Sequence, residues 1–136
     1  MRRSIYIEGF SHGKNPVPAA CVIGRQLMTG AIFGTDPATG KVATELQEQC
    51  RLMFFNVQRI LEAAGGSFAD VLKMTFYLHP DVSRELINEH WVTAFPDPAS
   101  RPARHVIVSD RLPASMQMQC DMVACPPPST ADSMPC

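Results

Sequence analysis

The chain has 136 residues, of which 46% are hydrophobic, and this describes one globular domain of ordinary composition. Its 12 Lys and Arg are balanced by 13 Asp and Glu, and the cations are scattered, so the sequence predicts neither a nucleic-acid nor a membrane partner. A chain of this length buries roughly two-thirds of its unfolded surface and needs no cofactor or metal to hold a core.

The location of the protein is predicted from what its N-terminal segment contains. No apolar run approaches the ~20 residues of a membrane span. Charged and polar residues soon after Met1 interrupt any signal-peptide core. We therefore expect a cytoplasmic protein.

The cysteine and histidine spacings predict no metal site. Five cysteines are present, an odd number with no C-x-x-C pair, so reduced thiols are expected rather than a disulfide framework or zinc site. The four histidines lack metal-ligand spacing such as H-E-x-x-H.

The first part of the chain predicts three short strands, over residues 4–8, 19–23 and 27–33. Gly30 falls inside the third strand, where a missing side chain indicates either a bulge, a close approach by ligand or backbone, or simple tight packing. Residues 34–40 have the composition of a loop.

Two helices and a strand are predicted next. Thr44 and Gln47 have capping-box spacing at the start of the first helix, and Gly65 and Gly66 end it. Its apolar stripe at three- and four-residue steps consists of Leu46, Cys50, Met53, Phe54, Val57, Ile60, Leu61 and Ala64. A strand over residues 71–78 follows, with Leu72, Met74, Phe76 and Leu78 on one face. The second helix covers residues 82–95, approximately, and ends before a proline-rich turn.

The last two strands are predicted over residues 103–109 and 116–124. In the final strand an apolar face, Met116, Met118, Cys120, Met122 and Ala124, alternates with a polar face, Gln117, Gln119 and Asp121. The element order predicts an α+β fold in which two helices pack on one face of the sheet. The other face must be polar or covered by another subunit. We expect one domain over residues 1–125 and a proline-rich, disordered tail over residues 126–136.

Arg104 is the first candidate for chemistry, among the residues on the polar side of the last strands, which are candidates for an oligomeric interface or a cleft. It stands at the start of a strand of otherwise apolar character, where a guanidinium needs an anion or several acceptors. It is either a clamp for a substrate carboxylate or a member of a structural ion pair. Gln119 and Asp121, on the polar side of the last strands, either hold a water or an amine or are simply solvated. Cys120 lies on the apolar face and is interpreted as core rather than nucleophile.

The chain resembles the RidA/YjgF family of reactive-intermediate imine deaminases, also labelled endoribonuclease L-PSP. The resemblance covers about residues 15–124. It is carried by Asn15-Pro16, Thr29-Gly30, Asp36-Pro37-Ala38-Thr39-Gly40, Gln49, Asn56-Val57, Glu62-Ala63-Ala64-Gly65, Val71-Leu72-Lys73-Met74-Thr75, Asn88, Phe95-Pro96, Arg101-Pro102-Ala103-Arg104 and Leu112-Pro113. It implies a chorismate-mutase-like fold and a homotrimer with three ligand clefts between subunits.

The resemblance also implies a site. Arg104 occupies the position of the arginine that grips the carboxylate of a 2-imino or 2-enamino acid. Gly30 matches the glycine that approaches the ligand, and Val106 matches a strand residue whose backbone contributes. The implied reaction is hydrolysis to a 2-oxo acid and ammonia without a cofactor.

Two positions, Gln119 and Val17, depart from the family pattern. Gln119 aligns with the glutamate that orients the water, and Val17 aligns with the tyrosine of a G-P-Y segment, so we expect a divergent branch. Gln119 can still orient water, and Asp121, on the same strand face, can partly substitute. Asn88 is counted with Arg104, Gly30, Val106 and Val17 as substrate-binding.

Three functions follow from these residues. The leading hypothesis is a deaminase acting on an imine, or on an enamine such as an aminomuconate-like ring-cleavage product. The rival is a non-catalytic binder of small carboxylates, suggested by Gln119. Ribonuclease activity rests on a family label, and the neutral charge argues against it.

Overall fold

The fold is built around a six-stranded mixed sheet. The structure, a computed structural model, describes residues 1–113 and 115–128. The strand order is β1-β2-β3-β8-β6-β7, and only β6 and β7 pair in parallel. These strands are β1 Arg3–Ile5, β2 Ala20–Ile23, β3 Gln26–Thr29, β6 Val71–Leu78, β7 Ala103–Val108 and β8 Met118–Ala124.

Two helices lie on one face of this sheet. They are α1 Leu46–Ala63 and α2 Arg84–Ala94, preceded by a two-stranded ribbon of β4 Thr35–Asp36 and β5 Lys41–Val42. A parallel pair such as β6 and β7 needs a crossover connection, and α2 provides it. The predicted α+β fold with two helices on one face is confirmed.

The core lies between the helices and the sheet, as the sequence periodicity predicts. The α1 stripe from Cys50 to Ala64 is buried, although Leu46 at its start is partly exposed. The alternation in the last strand is confirmed, since Met116, Met118, Cys120, Met122 and Ala124 are all buried. Trp91 and Phe95 bring aromatic side chains of α2 and its C-terminal end into the same core.

Several predicted boundaries are wrong. The third strand ends at Thr29, so Gly30 lies just beyond it, and the predicted loop over residues 34–40 contains β4. The N-cap residue of α1 is Glu45, and its side chain makes no capping hydrogen bond. The predicted capping box at Thr44 therefore does not form. Leu72 is exposed rather than inward, because a β-bulge between Val71 and Lys73 shifts the alternation by one residue.

The cysteines and the end of the chain correct other expectations. Cys21, Cys50 and Cys120 are free thiols, whereas Cys125 is disulfide-bonded, contrary to the prediction. Pro126, the first residue of the predicted tail, is buried and its carbonyl accepts a 3.0 Å hydrogen bond from Arg25. The rest of the predicted tail from residue 129 onward lies outside the described residues.

The described residues lack both a helix that could span a membrane and a side-chain cluster that could hold a metal ion. Neither α1 nor α2 is long and apolar enough to cross a membrane. Residues 1–113 and 115–128 contain no group of three or more His, Cys, Asp or Glu side chains that could hold a metal ion.

Candidate functional site

Arg104 lies on the helix side of the sheet, in the edge strand β7. The parallel register pairs it with Met74 and pairs Val106 with Phe76, and both partners in β6 are fully buried beneath the helices. Since paired residues of neighbouring strands point to the same face, Arg104 and Val106 face α2. The prediction that Arg104 belongs with the polar side of the last strands is therefore wrong.

Two side chains of α2 hold the Arg104 guanidinium. Its Nη1 donates a 2.8 Å hydrogen bond to Asn88 Oδ1, and its Cζ lies 5.1 Å from the centre of the Trp91 ring. No carboxylate within residues 1–113 and 115–128 pairs with Arg104. Burial, with a smaller effect from the charge of Arg84, lowers the pKa of this guanidinium. Among the described residues the structural ion pair expected as one alternative does not form, and the guanidinium is held there by Asn88 and Trp91 without a counter-charge.

Trp91 is itself rigidly placed. Its ring packs edge-on against Phe76 at 6.2 Å and against Phe95 at 4.7 Å between ring centres. The helix that carries Trp91 and Asn88 starts with Ser83, whose hydroxyl accepts a hydrogen bond from the Glu85 N–H. Trp91 therefore gives Arg104 a fixed aromatic surface, which favours one orientation of the planar guanidinium.

Val106, Val17 and Gly30, three of the predicted substrate-binding residues, lie in different parts of the structure. Val106 follows Arg104 on the same strand face and packs, half-buried, against the core. Val17 is 46% exposed in the loop that precedes β2. A side chain at Gly30 would meet only the His12 ring, at 3.7 Å, which is an ordinary contact. Tight packing within this chain therefore does not explain a glycine there.

Gln119 and Asp121 lie together on the helix-free side. In the antiparallel register Gln119 pairs with Tyr77 and Asp121 pairs with Thr75. Both residues of β8 are half-buried, and the predicted shared face is confirmed. The Gln119 side chain makes no hydrogen bond within the described part of the chain.

The surroundings of Asp121 shift the pKa of its carboxyl. Burial raises the pKa of its carboxyl, while a hydrogen bond from the Tyr77 hydroxyl and the charge of Lys73 partly offset that rise. Asp121 in turn raises the pKa of Tyr77, so the phenol keeps its proton and acts as the donor. A carboxylate of raised pKa accepts a proton more readily, as general-base chemistry requires.

The cysteines near this region are unsuited to nucleophilic catalysis. Burial raises the pKa of Cys50 to about 12 and also raises that of Cys120. A buried thiol of high pKa is a poor nucleophile because the thiolate is the reactive form. The interpretation of Cys120 as a core residue fits this environment.

Trp91 and Tyr77 belong to these two groups, although neither is among the site residues that the sequence predicts. The three-residue spacing from Asn88 to Trp91 was a usable signal, because residues that far apart share a helix face. No local signal links Tyr77 to Asp121, since the strand register joins them.

The predicted site residues form two groups that do not meet within one chain. Arg104, Asn88 and Val106 lie on the helix side, at the outer edge of the sheet, whereas Gln119 and Asp121 lie on the opposite face. The sheet separates them. A single site that uses Arg104 and Asp121 together would need two copies of the chain.

Comparisons with known proteins agree with this fold. Residues 7–125 match the family model described as Endoribonuclease L-PSP. A RutC family protein of Pyrococcus horikoshii is 30% identical over 125 residues, covering 91% of this chain and 98% of the relative. A 2-iminobutanoate/2-iminopropanoate deaminase of Salmonella typhimurium is 27% identical, with the same two coverages. The crystal structure of Escherichia coli TdcF with bound serine superposes with a TM-score of 0.80 at 26% identity, covering 90% of this chain and 98% of that one. With its fold and nearly its whole described length matched in this way, the chain belongs to the RidA/YjgF family, the endoribonuclease L-PSP family.

Proposed function

We propose that this protein hydrolyses a 2-imino or 2-enamino acid to the 2-oxo acid and ammonia. The observation that carries the proposal is Arg104, a guanidinium held by Asn88 and Trp91 without a carboxylate partner among the described residues. A planar guanidinium binds a carboxylate through two parallel hydrogen bonds. The Salmonella relative, named as an imine deaminase, supports the same class of reaction.

The reaction needs only water and proton transfer. A water oxygen attacks the imine carbon, and one proton of that water passes by way of a base to the imine nitrogen, which gives a carbinolamine. The remaining hydroxyl proton then passes to the same nitrogen as the carbon–nitrogen bond breaks, and ammonia is released. The electron pair of that bond leaves with nitrogen, and the carbon becomes the carbonyl of the 2-oxo acid. No redox cofactor enters this balance.

In this proposal Asp121 orients the attacking water and accepts its proton, assisted by Gln119. The raised pKa of Asp121 suits it to this role, and the Tyr77 hydroxyl is a hydrogen-bond donor to its carboxylate. Gln119 cannot take a proton at neutral pH, but its amide can hydrogen-bond the water.

The two groups come together if the protein is a homotrimer with its clefts between subunits. The helix-free face carries large apolar side chains that a neighbour would cover, including Met28 and Leu72, each 56% exposed, and Ile107, 37% exposed. Sedimentation at micromolar concentration is expected to give a trimer. A monomer at that concentration would contradict the shared cleft.

The activity is tested by generating imino acids with an amino-acid oxidase. Release of 2-oxo acid is followed with and without the protein, using 2-iminopropanoate and 2-iminobutanoate first. We expect acceleration by the parent protein and by Arg51→Ala, a control that removes a surface arginine paired with Glu48. Arg104→Ala is expected to lose the acceleration. No acceleration with any imine or enamine tried would refute the deaminase.

The second candidate is a non-catalytic binder of small carboxylates, and Gln119 favours it. A glutamine in place of the family's glutamate removes the strongest base from the water position. Saturable binding of 2-oxo acids that Arg104→Ala abolishes, together with no turnover by the parent, would establish the binder.

A further inference from the structure

A second arginine lies beside the Arg104 group on the same helix. Arg84, Asn88 and Trp91 are spaced by four and three residues along α2, so they share one helix face. Asn88 bonds to the Arg104 guanidinium and Trp91 lies against it, so this face is the one that meets β7. Arg84 therefore lies one helical turn from Asn88 on the side where Arg104 is held. Its side chain is exposed.

The two guanidinium groups have no acid to balance them. Within the described residues, no carboxylate forms a salt bridge or hydrogen bond with Arg84 or Arg104. The two acids of α2 are Glu85 and Glu89. Neither forms a salt bridge with Arg84 or Arg104, and Glu89 exerts its charge on Cys50 of α1. The positive charge of Arg84 contributes to lowering the pKa of Arg104, so the two cations are close enough to repel each other. An anion that contacts both would relieve this repulsion.

Given the proposed reaction, carboxylates are the anions to consider for two neighbouring guanidinium groups. Each planar fork matches the two oxygens of one carboxylate. In the proposed reaction Arg104 already takes the carboxylate next to the imine carbon. A substrate with only that carboxylate leaves Arg84 without a partner, whereas a dicarboxylate satisfies both.

We infer that the preferred substrate is a 2-imino or 2-enamino dicarboxylic acid, whose carboxylate beside the imine carbon binds Arg104 and whose distal carboxylate binds Arg84. This inference rests on the function proposed above. Arg84 then determines substrate specificity and takes no part in the chemical step.

The test measures binding, because Trp91 is the only tryptophan of the chain and lies against Arg104. Its fluorescence is titrated with 2-oxoglutarate and with 2-oxobutanoate, the stable keto products of a dicarboxylic and a monocarboxylic imine, and calorimetry checks the affinities. We expect 2-oxoglutarate to bind about fivefold more tightly at low ionic strength, since Arg84 is exposed and contributes modestly. Added salt should reduce this preference.

Arg84→Ala is expected to remove the preference and to leave the 2-oxobutanoate affinity unchanged. Arg51→Ala, which removes one positive charge from α1 instead, is expected to keep the preference. Equal affinities for the two acids in the parent, an equal loss for both in Arg84→Ala, or no binding of either acid would overturn the inference.

Failure of the deaminase proposal has a different signature. If 2-oxoglutarate binds preferentially through Arg84 but the parent does not accelerate 2-oxo acid release from any imine, the dicarboxylate site stands and the protein is a binder. If imines of monocarboxylic and dicarboxylic amino acids are hydrolysed equally well and Arg84→Ala changes neither rate, the deaminase stands and the dicarboxylate preference is refuted.

Discussion

Arg104 and Asn88 are 16 residues apart in the sequence, yet the Nη1 of Arg104 donates a 2.8 Å hydrogen bond to Oδ1 of Asn88. The bond joins the edge strand to the helix that crosses over from β6 to β7. It uses one donor of the guanidinium and, with Trp91 against the plane of the group, leaves other N–H donors for a ligand.

Arg104→Lys is expected to impair carboxylate binding almost as much as Arg104→Ala. A lysine offers a point charge without the planar fork, and it cannot bond Asn88 and a carboxylate in the same geometry. We expect each variant to lose roughly tenfold or more in affinity for 2-oxobutanoate, measured by calorimetry. Near-parental affinity in Arg104→Lys would show that the fork is not used.

Trp91 is expected to act as a positioning residue for Arg104. Trp91→Leu removes the aromatic surface beneath the guanidinium and should weaken 2-oxo acid binding, whereas Trp91→Phe keeps a ring there and should restore most of it. Both variants lose core packing, by about 1 to 4 kcal/mol in the free energy of unfolding. Affinities measured by calorimetry, compared with free energies of unfolding measured in urea, separate the effect on ligand binding from the effect on core packing. Equal affinities in Trp91→Leu and Trp91→Phe would contradict the positioning role.

Asp121→Asn is expected to lower turnover of the imine substrate by at least about 100-fold, because it removes the proposed general base. Gln119→Ala should cost less, since its amide only orients the water. Turnover is followed as 2-oxo acid release. If activity appears only in Gln119→Glu and is absent from the parent, the binder is the correct function and Asp121 is not a base.

The pH profile is expected to report on the Tyr77–Asp121 hydrogen bond. The base form of Asp121 is required, so kcat/KM should fall as pH drops through its pKa, which burial raises from its ordinary value. The Tyr77 hydrogen bond lowers that pKa, so Tyr77→Phe should move the acidic limb to higher pH. Tyr6→Phe is the matched control, because Tyr6 is the other tyrosine and is 70% exposed. An unmoved limb in Tyr77→Phe would show that another group titrates.

Two glycine-to-alanine variants are expected to separate folding from ligand approach. A side chain at Gly34 would overlap the backbone of Gln49, and the Asn56 amide bonds the carbonyls of Phe33 and Thr35 on either side, so the segment cannot move away. Gly34→Ala should therefore cost about 3 kcal/mol or more in urea unfolding. Gly30→Ala meets only an ordinary contact, so its stability should stay near the parent's while 2-oxo acid binding weakens.

The Gly30 prediction has a clear opposite outcome. If Gly30→Ala binds 2-oxobutanoate as well as the parent does, no ligand approaches this position and the family role of that glycine does not apply here. If Gly30→Ala unfolds as readily as Gly34→Ala, the glycine is kept for packing instead.

The sequence by itself determined the elements whose burial repeats at a fixed period. The α1 stripe and the alternation from Met118 to Ala124 are visible because a helix or strand with one buried face must place apolar residues at its own spacing. The family resemblance, carried by motifs in the right order, selected Arg104 among many charged residues. The bulge at Leu72 was not predictable from this periodicity, because an inserted residue breaks the alternation without a change in composition.

Only the tertiary structure decided which faces the site residues occupy. The register of β6 with β7 pairs Met74 with Arg104, and this pairing places the guanidinium against α2. The register of β6 with β8 brings Tyr77 to Asp121 on the opposite face. A shift of one residue in either pairing would reverse these faces. The register depends on contacts between distant segments, and a local sequence pattern does not contain it.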